Sequence, residues 1–472
     1  MKLPLVGPTY QSKSLPFDAQ RCVNLYPEIS ESQTSVEPAM LVRTPGLVQL
    51  VEAGGGPIRG MIATTEGDRL FAVSGGVLYE VDSSGAATNR GSVSAGTEAV
   101  SMATNGTEIF IAQGATGWIY NLDTDTLSQI TDPDFPGAET VAFIDGYFVF
   151  NAPNSGKWYV TSLYNGGSVD ALDFVTSESK PDLTIAVIVN AGQVWTFGSQ
   201  STEVYYNSGG ADFPFSRLEG AVMEVGCAAA HSVVRADNSL FWLGRDEYGA
   251  GMVYRAVGYK PLRISTHAIE NKILACSDLS QFVGFVYQRD GHTFYFLTHP
   301  QLETTLVYDA ATNMWHERAY LDEFGMFAPH RANCAAFFNG WNVVGDRSTG
   351  QIYRLDADAH TDAGNPIRWL RVLPHTQDQL VKIRSDMLRI NMEVGTGLVG
   401  GDNPTIALRI SNDAGRTWSS EIVANVGKVG QYDTTVEFRR LGISDHRLYE
   451  LSGSDPVRTF LYGAYLTARA GK

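Results

Sequence analysis

The chain has 472 residues, with 35 Lys and Arg against 51 Asp and Glu, for a formal net charge of −16. That balance argues against a free-standing nucleic-acid binder, which carries a basic patch or stripe, and a hydrophobic fraction of 44% argues against disorder through the body of the chain. Forty-eight glycines beside 21 tyrosines and 22 phenylalanines, with no long run at helical spacing, predict an all-β protein of short strands and tight turns.

Residues 1–45 open the chain as a segment punctuated by Pro4, Pro8, Pro16, Pro27, Pro38 and Pro45, which favours extended backbone. The expectation is an extended N-terminal arm lying on a partner chain or on its own propeller. The start lacks an apolar signal-peptide core, and no stretch approaches the ~20 apolar residues of a membrane span, so no membrane insertion is expected.

From residue 46 to 374 a unit recurs. A small-residue or β-branched strand leads to a turn rich in Asn, Asp and Gly, then to an apolar strand, a second turn and a strand bearing a tyrosine. The first copy runs from Met61 through Glu66-Gly67-Asp68 and Leu70-Phe71-Ala72-Val73 to Tyr79. Later copies turn at Asn105-Gly106, Asp145-Gly146, Asn190-Ala191-Gly192, Asp237-Asn238, Asp290-Gly291 and Asn339-Gly340, and reach Tyr120, Tyr159, Tyr205, Tyr254, Tyr308 and Tyr353. Asn-Gly and Asp-Gly tolerate the positive φ that a two-residue hairpin needs. One such meander cannot bury both of its faces, so neighbours must cover them. Units of this length predict a β-propeller, with seven blades preferred and six or eight open. Two segments compete for the closing outer strand: Leu47-Val48-Gln49-Leu50-Val51, and Ile367-Arg368-Trp369-Leu370-Arg371-Val372-Leu373. Residues 375–472 lose the tyrosine repeat and alternate with period two around Leu388–Val394, Thr405–Ile410, Thr435–Phe438, Arg447–Leu451 and Thr459–Leu466, which predicts a C-terminal β-sandwich.

Chemistry-bearing motifs are few. Four cysteines (Cys22, Cys227, Cys276, Cys334) lie far apart and are expected as buried free thiols. The histidines show no metal-ligand spacing, and pairs such as Asp132/Asp134, Asp170/Asp173 and Asp356/Asp358 lack the glycine and terminal glutamate of a calcium loop. No phosphate-binding glycine loop or serine elbow is present. Catalytic, cofactor and metal residues are therefore all expected to be none. The sharpest local pattern is Ser411, Asp413, Gly415, Thr417 and Trp418, which resembles the Asp box of sialidases and other propellers. It reads as a structural turn in which the aspartate caps amides, the glycine permits the bend and the tryptophan packs beneath. Arg59, Arg235, Arg245 and Arg331 would have to converge for a sialidase-type enzyme; salt links and surface positions are expected instead.

The stretch Arg21-Cys22-Val23-Asn24-Leu25-Tyr26-Pro27-Glu28 with Arg43-Thr44-Pro45-Gly46-Leu47, and the run Glu437-Phe438-Arg439-Arg440-Leu441-Gly442 with Arg447, Ser454-Asp455-Pro456-Val457 and Gly463-Ala464-Tyr465, resemble packaged-DNA stabilisation proteins. These are also called tail accessory factors, hubs or nozzles of short-tailed bacteriophages. The resemblance implies a non-enzymatic virion tail component, assembled in the host cytoplasm as a hexameric ring below portal and adaptor. Such a ring extends the DNA channel, retains the packaged genome without sequence-specific contact, and anchors tailspikes or fibres. A receptor- or carbohydrate-binding propeller and a glycosidase-type propeller are the rival readings.

Overall fold

Hairpin turns set the architecture. In the computed structural model, which describes the chain except for residues 33, 178–179, 181, 211–212, 378–380, 397–402 and 472, Asp145-Gly146, Ala191-Gly192, Asp290-Gly291 and Asn339-Gly340 all place both central residues at positive φ. The first residue of each pair lies between 48° and 51°. This backbone twist matches that of the flanking strands and lets each hairpin continue straight into a meander.

Seven such meanders follow one another. Blade one comprises Ile58–Ala63, Arg69–Ser74, Val77–Asp82 and Ala87–Ser92. Blades two to four are four-stranded antiparallel sheets over 101–129, 141–176 and 184–217; blade five adds a fifth short strand over 226–263. Blade six spans 283–321, and blade seven begins with Ala332–Phe338, Trp341–Asp346 and Gln351–Asp356.

The seven repeat tyrosines all fall on the third strand of their blades. Each packs into the apolar cluster shared with the preceding blade. Tyr205 meets Trp158 of blade three, ring centroids 5.1 Å apart, and Tyr120 meets Phe71 of blade one at 5.0 Å. Tyr79 joins Ile352 and Val343 of blade seven, which closes the circle. A large amphipathic ring suits this place because its body fills the gap between sheets while its hydroxyl finds a hydrogen-bond partner. Thus Tyr308 donates to Asn313 (2.8 Å) and Tyr353 to Asp346 (3.0 Å).

Of the two candidate closing strands, the N-terminal one forms. Gly46–Glu52 pairs antiparallel with Gln351–Asp356, from Asp356↔Gly46 to Gln351↔Glu52, as the outer strand of blade seven. Gly46 has no room for a side chain: a Cβ there would lie 2.4 Å from the Thr361 carbonyl. Trp369–Val372, from the other candidate segment, runs instead between Ala19–Val23 and His446–Gly453 in the sandwich.

The sandwich draws on the beginning of the chain as well as on residues 375–472. One sheet has the order Leu25–Ile29, Ala39–Arg43, Phe460–Ala470, Ile383–Met392, Val436–Ser444, with Lys2–Leu3 added to Phe460–Ala470. The other runs Ala19–Val23, Trp369–Val372, His446–Gly453, Thr405–Ser411, Ile422–Asn425. The proline-punctuated segment runs extended, and it is woven into the sandwich sheets instead of lying as an arm on a partner chain or on the propeller. A boundary at residue 45 or 375 is therefore not a boundary between sheets. The physical reason is coverage: Leu3, Leu5, Cys22, Leu25 and Leu41 complete the core around Leu388, Ile390, Phe438, Tyr449 and Leu461, whose inner faces they shield from water.

Leu47 is 1% exposed in the closing strand, whereas Gln49 beside it faces solvent. Leu47→Ala is expected to cost about 2–5 kcal/mol and Gln49→Ala within about 0.5 kcal/mol, read as shifts of the denaturant midpoint. Equal midpoints for the two variants would contradict closure by this strand.

Candidate functional site

The residues at the propeller–sandwich junction bring together more buried charge than any catalytic pattern in the sequence had suggested. Met314–Leu321, the outer strand of blade six, meets Ala19–Val23 of the sandwich in parallel at Val23↔Glu317, so one sheet runs through both bodies. Glu317 at that crossing is fully buried. Its carboxylate accepts from Thr9 (2.5 Å), Thr304 (2.5 Å) and Arg21 (2.9 Å), with the Lys272 ammonium at 3.0 Å. Burial alone would raise its pKa; Arg21 and Lys272 outweigh that and hold it well below the usual carboxylate range.

The stretch that carries the family resemblance is this junction. Asn24, in a left-handed conformation (φ 54°), donates to the carbonyls of Ala319 (2.9 Å) and Arg368 (2.7 Å). Glu28 and Asp309 flank His292 at 2.7 and 2.8 Å; burial opposes its charge, but the two carboxylates raise its pKa to about 9. The buried Arg43 guanidinium has carbonyls rather than a carboxylate as its hydrogen-bond partners, donating to those of Ile367 (2.7 Å) and Val457 (2.9 Å). Arg371 likewise donates to those of Leu5 (2.7 Å) and Pro8 (3.0 Å). Multidentate guanidinium groups suit this task because one planar fork can hold several loop segments at once.

The Asp-box residues form a turn between Thr405–Ser411 and Ile422–Asn425. Asp413 accepts from the Thr417 amide (2.9 Å), the Thr417 hydroxyl (2.6 Å) and the Ser411 hydroxyl (2.7 Å), bonds that lower its pKa. Ser411 in turn accepts from the Gly415 amide at 2.8 Å, and Gly415 has φ +88°. Trp418 packs beside Ala19 and Leu448, with the Arg409 guanidinium 5.6 Å from its ring centroid. It lines a cleft of about 340 Å³ between blade six and the sandwich, together with Arg21, Arg409 and Glu450. Those charges are already matched, Arg409 to Glu450 at 2.5 Å and Arg21 to Glu317, so the cleft presents salt bridges instead of free acid or base groups.

The arginines of the sialidase pattern are dispersed. Arg59 donates to the Glu98, Gly75 and Ser94 carbonyls (2.7–2.8 Å), Arg331 sits 3.6 Å from Asp346, and Arg235 and Arg245 are exposed on blade five. The aspartates considered for calcium cap turn amides, as Asp132 does for Asp134 (3.0 Å) and Asp356 for Asp358 (3.0 Å). Among the described residues no cluster of three metal-ligating side chains occurs, and no helix is long and apolar enough to cross a membrane. Cys22, Cys227 and Cys276 are buried free thiols, and Cys334 is a partly exposed one.

Sequence reasoning missed Glu317, Lys272, His292 and Arg371. A signal for the first was present: His316-Glu317-Arg318 places three ionisable residues inside an otherwise apolar strand. Its partners come from up to 308 residues away, beyond the reach of any local pattern.

The junction makes stability depend on pH. His292 has a folded pKa of about 9 against 6.5 for a free imidazole. Its contribution is whole below pH 6.5 and is lost as pH rises through about 9. Glu317, with a lowered pKa, contributes above about 4.5 and loses that contribution as acid protonates it. His292→Gln should flatten the alkaline limb of a stability-against-pH profile between 6.5 and 9; it also removes the hydrogen bond and charge that hold the buried Asp309 carboxyl low, so the acid limb shrinks in part while the Glu317 contribution stays. An unchanged alkaline limb would mean that His292 does not carry it.

Comparison with known proteins follows this division of the molecule. The family model for bacteriophage P22 Gp10, β-propeller, matches residues 1–360, and that for bacteriophage P22 Gp10, β-sandwich, matches residues 368–469. No curated protein matches the chain. Solved structures similar to it include the N-terminal domain of Nup159 (TM-score 0.44, 8% identity, 71% of this chain and 98% of that one). Others are a crystal structure of the mitotic checkpoint complex (0.43, 9%, 70% and 97%) and PorZ of Porphyromonas gingivalis (0.40, 11%, 74% and 44%). Likeness at that level bears on neither function nor partners. With both halves matched, propeller and sandwich alike, the chain belongs to the bacteriophage P22 Gp10 family of phage structural proteins.

Proposed function

We propose that the chain is a ring-forming hub or nozzle of a short-tailed phage, seated below portal and adaptor, assembled in the host cytoplasm and carried in the virion tail. The observation that carries this reading is the family match over both bodies. The junction supports it: buried charges and a shared sheet fuse propeller and sandwich into one stiff unit, as suits a part that must hold against the pressure of packaged DNA. The formal charge of −16 suits a conduit that passes a polyanion without gripping it. In this role the ring extends the channel, retains the genome and offers its outer surface to tailspikes or fibres.

A second reading, a receptor- or carbohydrate-binding propeller, draws on one feature. A cleft of about 740 Å³ between the turns of blades one and seven is lined by Phe337, which is 64% exposed, and by Glu66, Asp68 and Asn339.

Purified chain added to tail-less, portal-bearing capsids is expected to produce six-fold density beneath the portal in electron micrographs and to protect the packaged DNA from nuclease. Monomers that leave the portal bare and bind glycans would overturn the hub reading in favour of the second.

A further inference from the structure

Charge is divided unevenly along the chain. Residues 1–374 hold 23 Lys and Arg against 40 Asp and Glu, a net of −17, while residues 375–472 hold 12 against 11, a net of +1. The deficit is deepest at residues 91–156, which contain eight acidic residues and no basic one. That interval covers blade two and the first half of blade three. In a ring of seven blades the point opposite blade six lies between blades two and three, and blade six is where the sandwich attaches. The most acidic sector and the blade that carries the sandwich therefore lie on opposite sides of the propeller ring.

The outer face of the sandwich sheet built from Ile383–Met392, Val436–Ser444 and Phe460–Ala470 carries Arg384, Arg389, Arg439 and Arg469, with side chains 52–69% exposed. Arg384 and Arg469 sit directly opposite each other across two strands, a like-charge pairing that costs stability, and they share the single carboxylate of Asp386. Arg389 and Arg439 likewise share Glu437. Lys2 and Glu37 pair with each other beside Tyr465, whose hydroxyl donates to Glu37, so the count is five cations against three carboxylates and the face stays positive. Exposed Tyr465 and Ile443 (37% and 44%) give it the Arg- and Tyr-rich composition of an interface core. On the acidic side, the Asp132 carboxylate accepts from the Val169 amide (3.2 Å), which brings the loop with Asp132 and Asp134 against the outer strand of blade three. There Leu172, 80% exposed, projects between Asp170 and Asp173.

We propose that these two surfaces bind each other between copies of this chain: the arginine face of one copy's sandwich docks on the acidic outer edge of blades two and three of the next. The proposal rests on the ring reading above and adds the surfaces through which the ring forms. Two complementary but different patches on one molecule make a head-to-tail contact, the kind that closes into a ring when the rotation allows. Leu172 supplies an apolar anchor on one side and Tyr465 on the other. The contact is expected to weaken with salt, because its charges lie at the surface.

The test uses the full chain in three forms: Arg389→Glu with Arg439→Glu, Asp134→Lys with Asp170→Lys, and all four changes together. Thermal unfolding checks that each folds like the parent. The readouts are sedimentation at low and high salt, and ring formation on portal-bearing capsids. Each two-site variant should reduce assembly more than tenfold, and the four-site variant should restore it, since the charges are exchanged between the faces. Assembly that survives in the Arg389→Glu, Arg439→Glu variant would overturn the proposed surface while leaving the ring reading intact. An unaltered chain that forms no ring on the portal would overturn the ring reading and the proposal with it. Duplex DNA bound by the unaltered chain and lost in the arginine variant, with assembly unaffected, would overturn the proposal by assigning the arginine face to phosphate.

Discussion

A propeller is a sheet series bent into a circle, and a circle of sheets has one seam. The packing between blades is repeated seven times and depends on every blade having two neighbours, so an open seam would expose an apolar face on each side of it. In this protein the seam is shut by backbone hydrogen bonds between Gly46–Glu52 and Gln351–Asp356, segments separated by some 300 residues of sequence. The Tyr79 cluster with Ile352 and Val343 lies between blades seven and one, and Leu50 and Val51 of the closing strand pack against it. The sandwich depends on it too, since the same segment that closes the propeller leads directly from Ala39–Arg43 of the sandwich sheet.

Much of the propeller is legible in the sequence because its determinants are local. The turn dipeptides impose their φ values within two residues, and the recurrent tyrosine marks the third strand because each blade presents the same gap to its neighbour. The choice between Leu47–Val51 and Ile367–Leu373 as closing strand was not legible. Both are apolar, strand-forming runs, and what decides between them is the competition of Trp369–Val372 for a place between Ala19–Val23 and His446–Gly453.

The first 45 residues show the same limit more sharply. Their prolines announce extended backbone correctly, yet nothing nearby reveals that Lys2–Leu3 pairs with residues 464–465 or that Asn24 reaches Ala319 and Arg368. The residues that carry the family resemblance (Arg21, Asn24, Glu28 and Arg43) turn out to be the ones that fasten distant segments. Each meets a buried partner: Asn24 donates to two carbonyls and accepts from an amide in a left-handed conformation, and Arg43 ties the loop segments at Ile367 and Val457 together. The Asp box, by contrast, is read from sequence easily because all of its hydrogen bonds close within seven residues.

Weaving residues 1–45 into sheets with residues 369–470 has a consequence for biosynthesis. During translation the early strands emerge long before Phe460–Ala470 leaves the ribosome, and until then Leu3, Leu25 and Leu41 have no complete core to enter. Blades one to six are built from contiguous sequence and can condense as they appear, whereas blade seven waits only for Gln351–Asp356 to meet Gly46–Glu52, and the sandwich waits for the last hundred residues. The nascent protein thus carries an apolar leader without its core through most of its synthesis, and its fold is completed by joining its two extremities.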